Sequence, residues 1–238
     1  MTKYFEKKIP KLSPRLAAVA GLVRPGASVA DIGTDHAYLP VYLVNSGICP
    51  KAEACDVRRG PLLRAQMTVA AYGAGDRVTL LLRDGLRDVP RADDVVIAGM
   101  GGELIANIIA PCEFAKDPTV SLVLQPMTSA PELRSFLCLS GFEIKREVAA
   151  REGDRLYVAM TAVYTGITFR PDKLFCLTGL LPREGGKNER DYLMKEAARL
   201  EKIAQGLKNS ALHAGEAGDY DALAREIRAF ADGGARGE

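Results

Sequence analysis

No stretch of this 238-residue chain holds the roughly 18 consecutive apolar residues that a membrane span requires. The first eleven residues are charged and lack the apolar core of a secretory signal, so a cytoplasmic protein is expected. Cysteine is sparse. Five residues, at 49, 55, 112, 138 and 176, include no Cys-x-x-Cys pair and form an odd, scattered set. That pattern argues for reduced thiols serving as buried apolar fillers and against a disulfide framework. Only two histidines are present, His36 and His213, which makes a structural zinc site improbable; no metal is expected. Net charge is small as well, at +2. Its distribution is uneven, however. Lys3, Lys7, Lys8, Lys11, Arg15 and Arg24 face Glu6 alone in the first 24 residues, about +5 by count. Such a leader either tracks phosphates or is simply a solvated, partly frayed segment.

What is present is a repeating strand–helix grammar, with 47% hydrophobic residues available for a core. The stretch from Val29 to Pro40 organises it. Residues 28–32 form a short apolar run with β-branched members, closed by Asp31 and followed by Gly33, which reads as a buried strand entering a tight turn. An apolar helical pattern starts at Ala37 and runs to Asn45. In an open α/β sheet, that turn is where a ligand sits. The Gly-x-Gly-x-x-Gly fingerprint of dinucleotide binding is absent, because Asp35 and His36 stand where glycines would admit a pyrophosphate. Two acids within five residues repel a phosphate. They suit a cationic ligand with hydroxyls and an amino group, which describes S-adenosylmethionine better than NAD.

Before this strand, Ser13 and Pro14 supply an N-cap and a first helical residue for a helix with Leu16, Val19, Ala20 and Val23 on one face. After it, strands are expected over 52–57, 77–82, 94–98 and 120–124, with helices over 62–72, 104–109 and from Ser129 to Leu139. Ser129 and Glu132 resemble a capping box. Asp56 ends the second strand, where nucleotide-binding folds hold ribose hydroxyls, although an ion pair with Arg58 or Arg59 is an alternative role. Asp84-Gly85-Leu86 ends the third, placing Asp84 to accept from an adenine amino group. Gly99-Met100-Gly101-Gly102 ends the fourth, where three glycines let the backbone lie against a flat ligand. Residues 143–150 and 155–164 are separated only by Glu152-Gly153-Asp154, which marks an antiparallel hairpin.

Residues 165–186 read as loop-rich. Two amphipathic helices follow, 188–208 and 219–230, joined through Gly215 and Gly218, with 12 basic and 12 acidic residues balanced over 166–238. Residues 232–238 are expected to be disordered. The fold class is thus α/β: a Rossmann-like sheet of residues 1–165 ending in an antiparallel hairpin, and a small C-terminal helical hairpin of 166–238.

Leu12-Ser13-x-Arg15-Leu16, Ala30-Asp31-Ile32-Gly33-x-Asp35-His36-Ala37-Tyr38-Leu39-Pro40, Gly60-Pro61, Asp84-Gly85-Leu86, Ile97-Ala98-Gly99-Met100-Gly101-Gly102 and Leu124-Gln125-Pro126 together resemble the bacterial tRNA adenine-N1 methyltransferases that act on position 22. The likeness runs over roughly residues 10–165 in motif detail, and beyond that in the general plan of a C-terminal helical hairpin. It implies methyl transfer from S-adenosylmethionine to an adenine N1 in tRNA, by a protein expected to be a monomer. It implies a cofactor-contacting set of Asp31, Gly33, Thr34, Asp35, His36, Asp56, Val57, Asp84, Gly85, Leu86, Ala98, Gly99, Met100 and Gly101. Asp31 and Gly33 would hold the methionine end, Asp56 the ribose and Asp84 the adenine. Asp35, His36, Tyr38 and Met100 would stand at the chemistry, with His36 and Tyr38 alternatively only shaping the turn. Lys11, Arg15, Arg58 and Arg59 are the candidate RNA phosphate contacts. Two other readings are a methyltransferase for another RNA position or a small molecule, and a non-catalytic cofactor- or RNA-binding module. A dehydrogenase is disfavoured by the missing glycine fingerprint.

Overall fold

A computed structural model describes residues 8–208 and 214–233. Seven strands form one sheet in the order β3-β2-β1-β4-β5-β7-β6. These are β1 (Val29–Ile32), β2 (Ala52–Asp56), β3 (Val78–Leu82), β4 (Asp94–Gly101), β5 (Ser121–Thr128), β6 (Phe142–Glu152) and β7 (Arg155–Tyr164). The first five pair in parallel, whereas β7 runs antiparallel to both β5 and β6. The expected terminal hairpin is therefore present, and it closes one flank of the sheet.

Alternate side chains on a strand point to opposite faces, and both faces here are covered by helices. Val29, Ala54, Val96 and Val123 pack with α1 (Pro14–Ala20), α2 (Tyr38–Asn45) and α3 (Arg59–Ala71). Ala30, Ile32, Ile97, Leu122 and Leu124 pack on the other face with α4 (Gly102–Ile109) and α5 (Ala130–Leu139). This explains why the strands read as unbroken apolar runs. Four of the cysteines, Cys49, Cys55, Cys112 and Cys138, are buried in these layers as free thiols, and Cys176 is partly buried. Ser13 caps α1 as expected, accepting from the Leu16 N–H, with Pro14 at the first turn.

Three local expectations are corrected. Ser129 precedes α5 in a left-handed conformation (φ +56°) and makes no side-chain cap, so there is no capping box. The reason is that β5 continues to Thr128, paired with Gly101, so the chain must turn sharply at Ser129. The stretch 165–186 is not merely loop. It contains α6 (Lys173–Thr178), capped by Asp172 on the Phe175 N–H, and α7 (Leu181–Glu184). Gly215 and Gly218 lie inside α9 (Ala214–Ala231), since packing on α8 (Lys187–Lys208) outweighs the helix cost of roughly 1 kcal/mol per glycine. Those two helices are antiparallel, with Glu201 meeting Arg228 and Arg190 reaching the Ala231 carbonyl. Leu193, Ala197, Leu200, Ala224 and Ile227 carry the sheet's apolar layer into this hairpin without a break. The expected disordered tail lies, from residue 234, outside the described residues.

Candidate functional site

The parallel strands all end on one edge, and β1 ends there in Asp31 and Ile32. The Gly33 and Thr34 N–H groups both donate to the Cys55 carbonyl (2.8 and 2.9 Å), which pins the turn to β2. Gly33 takes φ +81°, and a Cβ built on it would stand 2.1 Å from Met100 Cε. The backbone angle favours glycine, while the overlap is with the mobile end of the methionine side chain. Asp35 and Ala37 are also left-handed (φ +42° and +55°), so α2 begins without a side-chain cap. Left-handed backbone at two non-glycine residues in a row of five is a concentration of strain of the kind found at ligand sites.

A cavity of about 260 Å³ opens over this turn, lined by Asp31, Gly33, Thr34, Asp35, His36 and Tyr38 from the β1–α2 connection, Ala98 and Gly99 from β4, and Arg15 from α1. Asp31 forms its buried acid. Desolvation pushes its carboxyl up to about 6, and the neighbouring Asp56 charge adds to the rise. Thr34 Oγ1, buried without a formed hydrogen bond of its own, is near enough to pull the other way. A buried acid beside an unsatisfied hydroxyl is a site built for a donor, and a cationic one most of all.

Asp35 faces outward, half-exposed, with its carboxylate 2.6 Å from Arg64 Nη2 on α3 and 3.6 Å from His36 Nε2. His36 stacks on Tyr38 with ring centroids 5.7 Å apart. The sequence reading missed Arg64, since nothing in the pattern of α3 distinguishes it from a solvated helix arginine. It also left Gln125 out of the site, although a glutamine directly following the apolar run 120–124 was a usable signal, and the structure buries it fully. Gln125 Oε1 accepts from Arg15 Nη1 (2.6 Å) and from the Gly99 N–H (3.1 Å).

The remaining acids spread along the edge. Asp56, buried at the end of β2, accepts from the Arg58 N–H (2.8 Å) and lies 3.7 Å from Arg58 Nε, so the ion-pair alternative is present. Val57 beside it is exposed. Asp84, Gly85 and Leu86 are not brought into the cavity over Gly33. They line a second one of about 280 Å³, against Asn107, Ile108 and Cys112. β1 and β3 stand two strand spacings apart, about 10 Å, so an extended ligand can reach from one end to the other across Asp56. Of the basic candidates, Lys11, Arg58 and Arg59 are exposed, whereas Arg15 turns inward. Arg24 is spent elsewhere. It pairs with Asp94 at the opposite edge of the sheet.

The family model for a methyltransferase domain matches residues 12–160, which takes in every strand end just described. The chain belongs to the methyltransferase domain family. Its relatives within that family include tRNA methyltransferases. The tRNA (adenine(22)-N(1))-methyltransferase of Bacillus subtilis is 38% identical over 157 residues, covering 64% of this chain. The aligned stretch is 65% of that relative's length. The crystal structure of the B. subtilis m1A22 tRNA methyltransferase superposes with a TM-score of 0.80 at 29% identity, over 93% of this chain and 100% of that one. An M. capricolum enzyme of the same kind, in complex with S-adenosylhomocysteine, superposes with a TM-score of 0.76 at 27% identity, over 92% of this chain and 98% of that one. This methyltransferase chain thus matches those structures beyond the catalytic sheet and into the C-terminal helices.

The methyltransferase site fits an S-adenosyl ligand on its own chemistry: a buried acid and an unsatisfied hydroxyl at Asp31 and Thr34, a first turn held in left-handed backbone at Gly33, and acids at the two following strand ends. Among the described residues, no group of three or more His, Cys, Asp or Glu gathers to hold a metal, and no helix is long and apolar enough to cross a membrane.

Proposed function

We propose that this protein transfers a methyl group from S-adenosylmethionine to N1 of adenine 22 in tRNA. The observation that carries the reading is the row of acids at the adjacent ends of β1, β2 and β3, with Asp31 buried at the foot of a cavity that Gly33 keeps open. Asp31 suits the ammonium of the methionine end, Asp56 the ribose hydroxyls and Asp84 the adenine amino group. The cofactor supplies a methyl on a cationic sulfur. Adenine N1 carries an in-plane lone pair and is unprotonated at neutral pH, so no residue must act as a base before attack. The protein's tasks are to align the two reactants and exclude water. Ala98 and Gly99, which line the cavity, are assigned with the adjoining Met100 and Gly101 to the side of the cofactor that meets the base, whose Watson–Crick edge must be exposed or flipped to reach them.

The product ring is cationic, and Asp35 is the carboxylate placed to offset that charge. Arg64 and His36 hold it meanwhile, with Tyr38 stacked behind. Asp35→Ala is expected to lose most turnover, on the order of 100-fold, while S-adenosylhomocysteine binding by calorimetry stays within about threefold of the unchanged protein, as Asp35 makes no part of the buried acid. Near-normal turnover would remove Asp35 from the chemistry.

The RNA side of the reading rests on the same edge. A cavity of about 360 Å³ lies between the end of β5, Tyr157 and α8, and it brings Lys195 and Arg199 of the helical hairpin beside the cofactor edge. With Lys11, Arg58 and Arg59 exposed around the site, these side chains form the proposed phosphate contacts. The test is transfer of labelled methyl to unmodified tRNA transcripts carrying adenine or guanine at position 22. Label recovered as 1-methyladenosine from the adenine transcript alone supports substrate and position together. Equal labelling of both transcripts keeps the methyltransferase and rejects the position.

A further inference from the structure

We infer that the outer face of α3 is an RNA-opening wedge: Leu63 and Met67 enter the substrate beside the target adenine and hold it out of its stack. The inference rests on the tRNA reading above, in which the Watson–Crick edge must be exposed and no residue yet performs the opening. α3 begins just past Asp56, at the same sheet edge as the cofactor cavity. Its Arg64 bonds Asp35 of the β1–α2 turn at 2.6 Å. The outer face of the helix therefore abuts the place where the target base must arrive.

That face is apolar where a solvated helix is polar. Leu63 and Met67 lie one turn apart, on one side of the helix. Met67 is 73% exposed, Leu63 62%, and Val57 at the approach to the helix 58%. Among the described residues, these are three of the five large apolar side chains that stand more than half exposed. One exposed leucine means little, but apolar side chains gathered at the rim of a site mark a contact surface. The charge around them names the partner. Residues 57–75 hold Arg58, Arg59 and Arg64 and no acid. A polyanion complements such a face, whereas a second copy of it would set arginine against arginine. RNA supplies both halves of the match: phosphates for the guanidiniums and, once unpaired, flat base faces for the leucine and methionine. Leucine and methionine are among the side chains that proteins insert between base steps to unstack them. Neither makes a directed hydrogen bond to a base, so the wedge opens the RNA without reading its sequence.

The test compares two tRNA transcripts with adenine at position 22. In one the nucleotide facing that adenine is uracil, and in the other it is changed so that no pair forms. Leu63→Ser/Met67→Ser is expected to lose roughly 10- to 100-fold in kcat/KM on the paired transcript, the scale of one opened base step. On the unpaired transcript it should stay within about threefold of the unchanged protein. Leu63→Met/Met67→Leu, which keeps the apolar surface, should match the unchanged protein on both. Because the two side chains are exposed, neither the midpoint of thermal unfolding nor the affinity for S-adenosylhomocysteine should move. Equal losses on the two transcripts would show an ordinary RNA contact and overturn the inference, and so would no loss on either. A dimer that the double substitution splits, read by sedimentation, would overturn it in favour of a contact between copies. If the unchanged protein labelled neither transcript, the tRNA reading itself would fall, and the inference with it.

Discussion

Glu147→Ala is expected to destabilise the protein by roughly 3–5 kcal/mol, the cost of leaving a buried charge without its partner. Glu147 on β6 and Arg134 on α5 are both fully buried, with Arg134 Nε 2.8 Å from Glu147 Oε1. The other carboxylate oxygen accepts from the Leu180 N–H, and Arg134 Nη1 donates to the carbonyls of Cys176 (2.7 Å) and Leu177 (3.1 Å). The pair thus also satisfies backbone groups at the end of α6 and just before α7. Gly179 belongs to the same arrangement. Its φ is +55°, and a Cβ there would stand 1.6 Å from Glu147 Oε2. At roughly 2–4 °C per kcal/mol for a chain of this size, the midpoint of thermal unfolding should fall by on the order of 10 °C. The double variant Arg134→Met/Glu147→Leu should recover much of the loss, because removing both charges removes the uncompensated one. A Glu147→Ala midpoint within about 2 °C of the unchanged protein, a loss of less than roughly 1 kcal/mol, would mean that water reaches the site and the pair carries little.

The second large effect is on the ligand. Asp31→Asn should cost S-adenosylhomocysteine affinity of about 100-fold or more, since a buried carboxylate facing an ammonium is replaced by a neutral amide. The same substitution should leave the protein more stable near neutral pH. The Asp31 carboxyl is raised to about 6 in the fold from an ordinary 3.8, so the folded state keeps a proton that the unfolded chain gives up. Stability from this group is fully present below pH 3.8 and is lost as pH rises through about 6. Asp31→Asn removes that loss, a gain of up to about 3 kcal/mol at pH 7–8 and little at pH 4. Binding runs the opposite way. Only the ionised carboxylate attracts an ammonium, so affinity should climb as pH passes about 6 and then level off. Titrations at pH 5, 6, 7 and 8 check both signs. An affinity for Asp31→Asn within about tenfold of the unchanged protein would remove Asp31 from the methionine end.

Much of this was legible in the chain itself. The strand ends at Asp31, Asp56 and Asp84 each follow an apolar run and precede a turn, so their alignment on one edge follows from the parallel topology alone. Gly33 marks its left-handed turn by residue type, whereas the close approach at Gly101 and Gly102 is to Thr128 and the Ser129 carbonyl of the β5–α5 turn. The β6–β7 hairpin follows from the absence of room for a crossover helix between residues 152 and 155. The errors were local: Ser129 as a capping residue, 165–186 as loop throughout, and Gly215 and Gly218 as a connection. The first and last came from reading intrinsic preference where strand continuation or helix packing overrides it.

Local pattern alone thus determined which segments are strands, which ends carry acids and what class of ligand those acids suit. These properties reside in spacing of two and 3.6 residues and in the chemistry of single side chains. The tertiary structure decided where the cations went. Arg15, Arg24, Arg58 and Arg64 look equivalent in the sequence, yet one is drawn into the cavity by Gln125, one across the sheet to Asp94, one onto Asp56 and one onto Asp35. An arginine's long side chain takes the best acceptor within its reach, and that acceptor is 110, 70, two and 29 residues away, respectively. All but one of those contacts form only once the chain has folded.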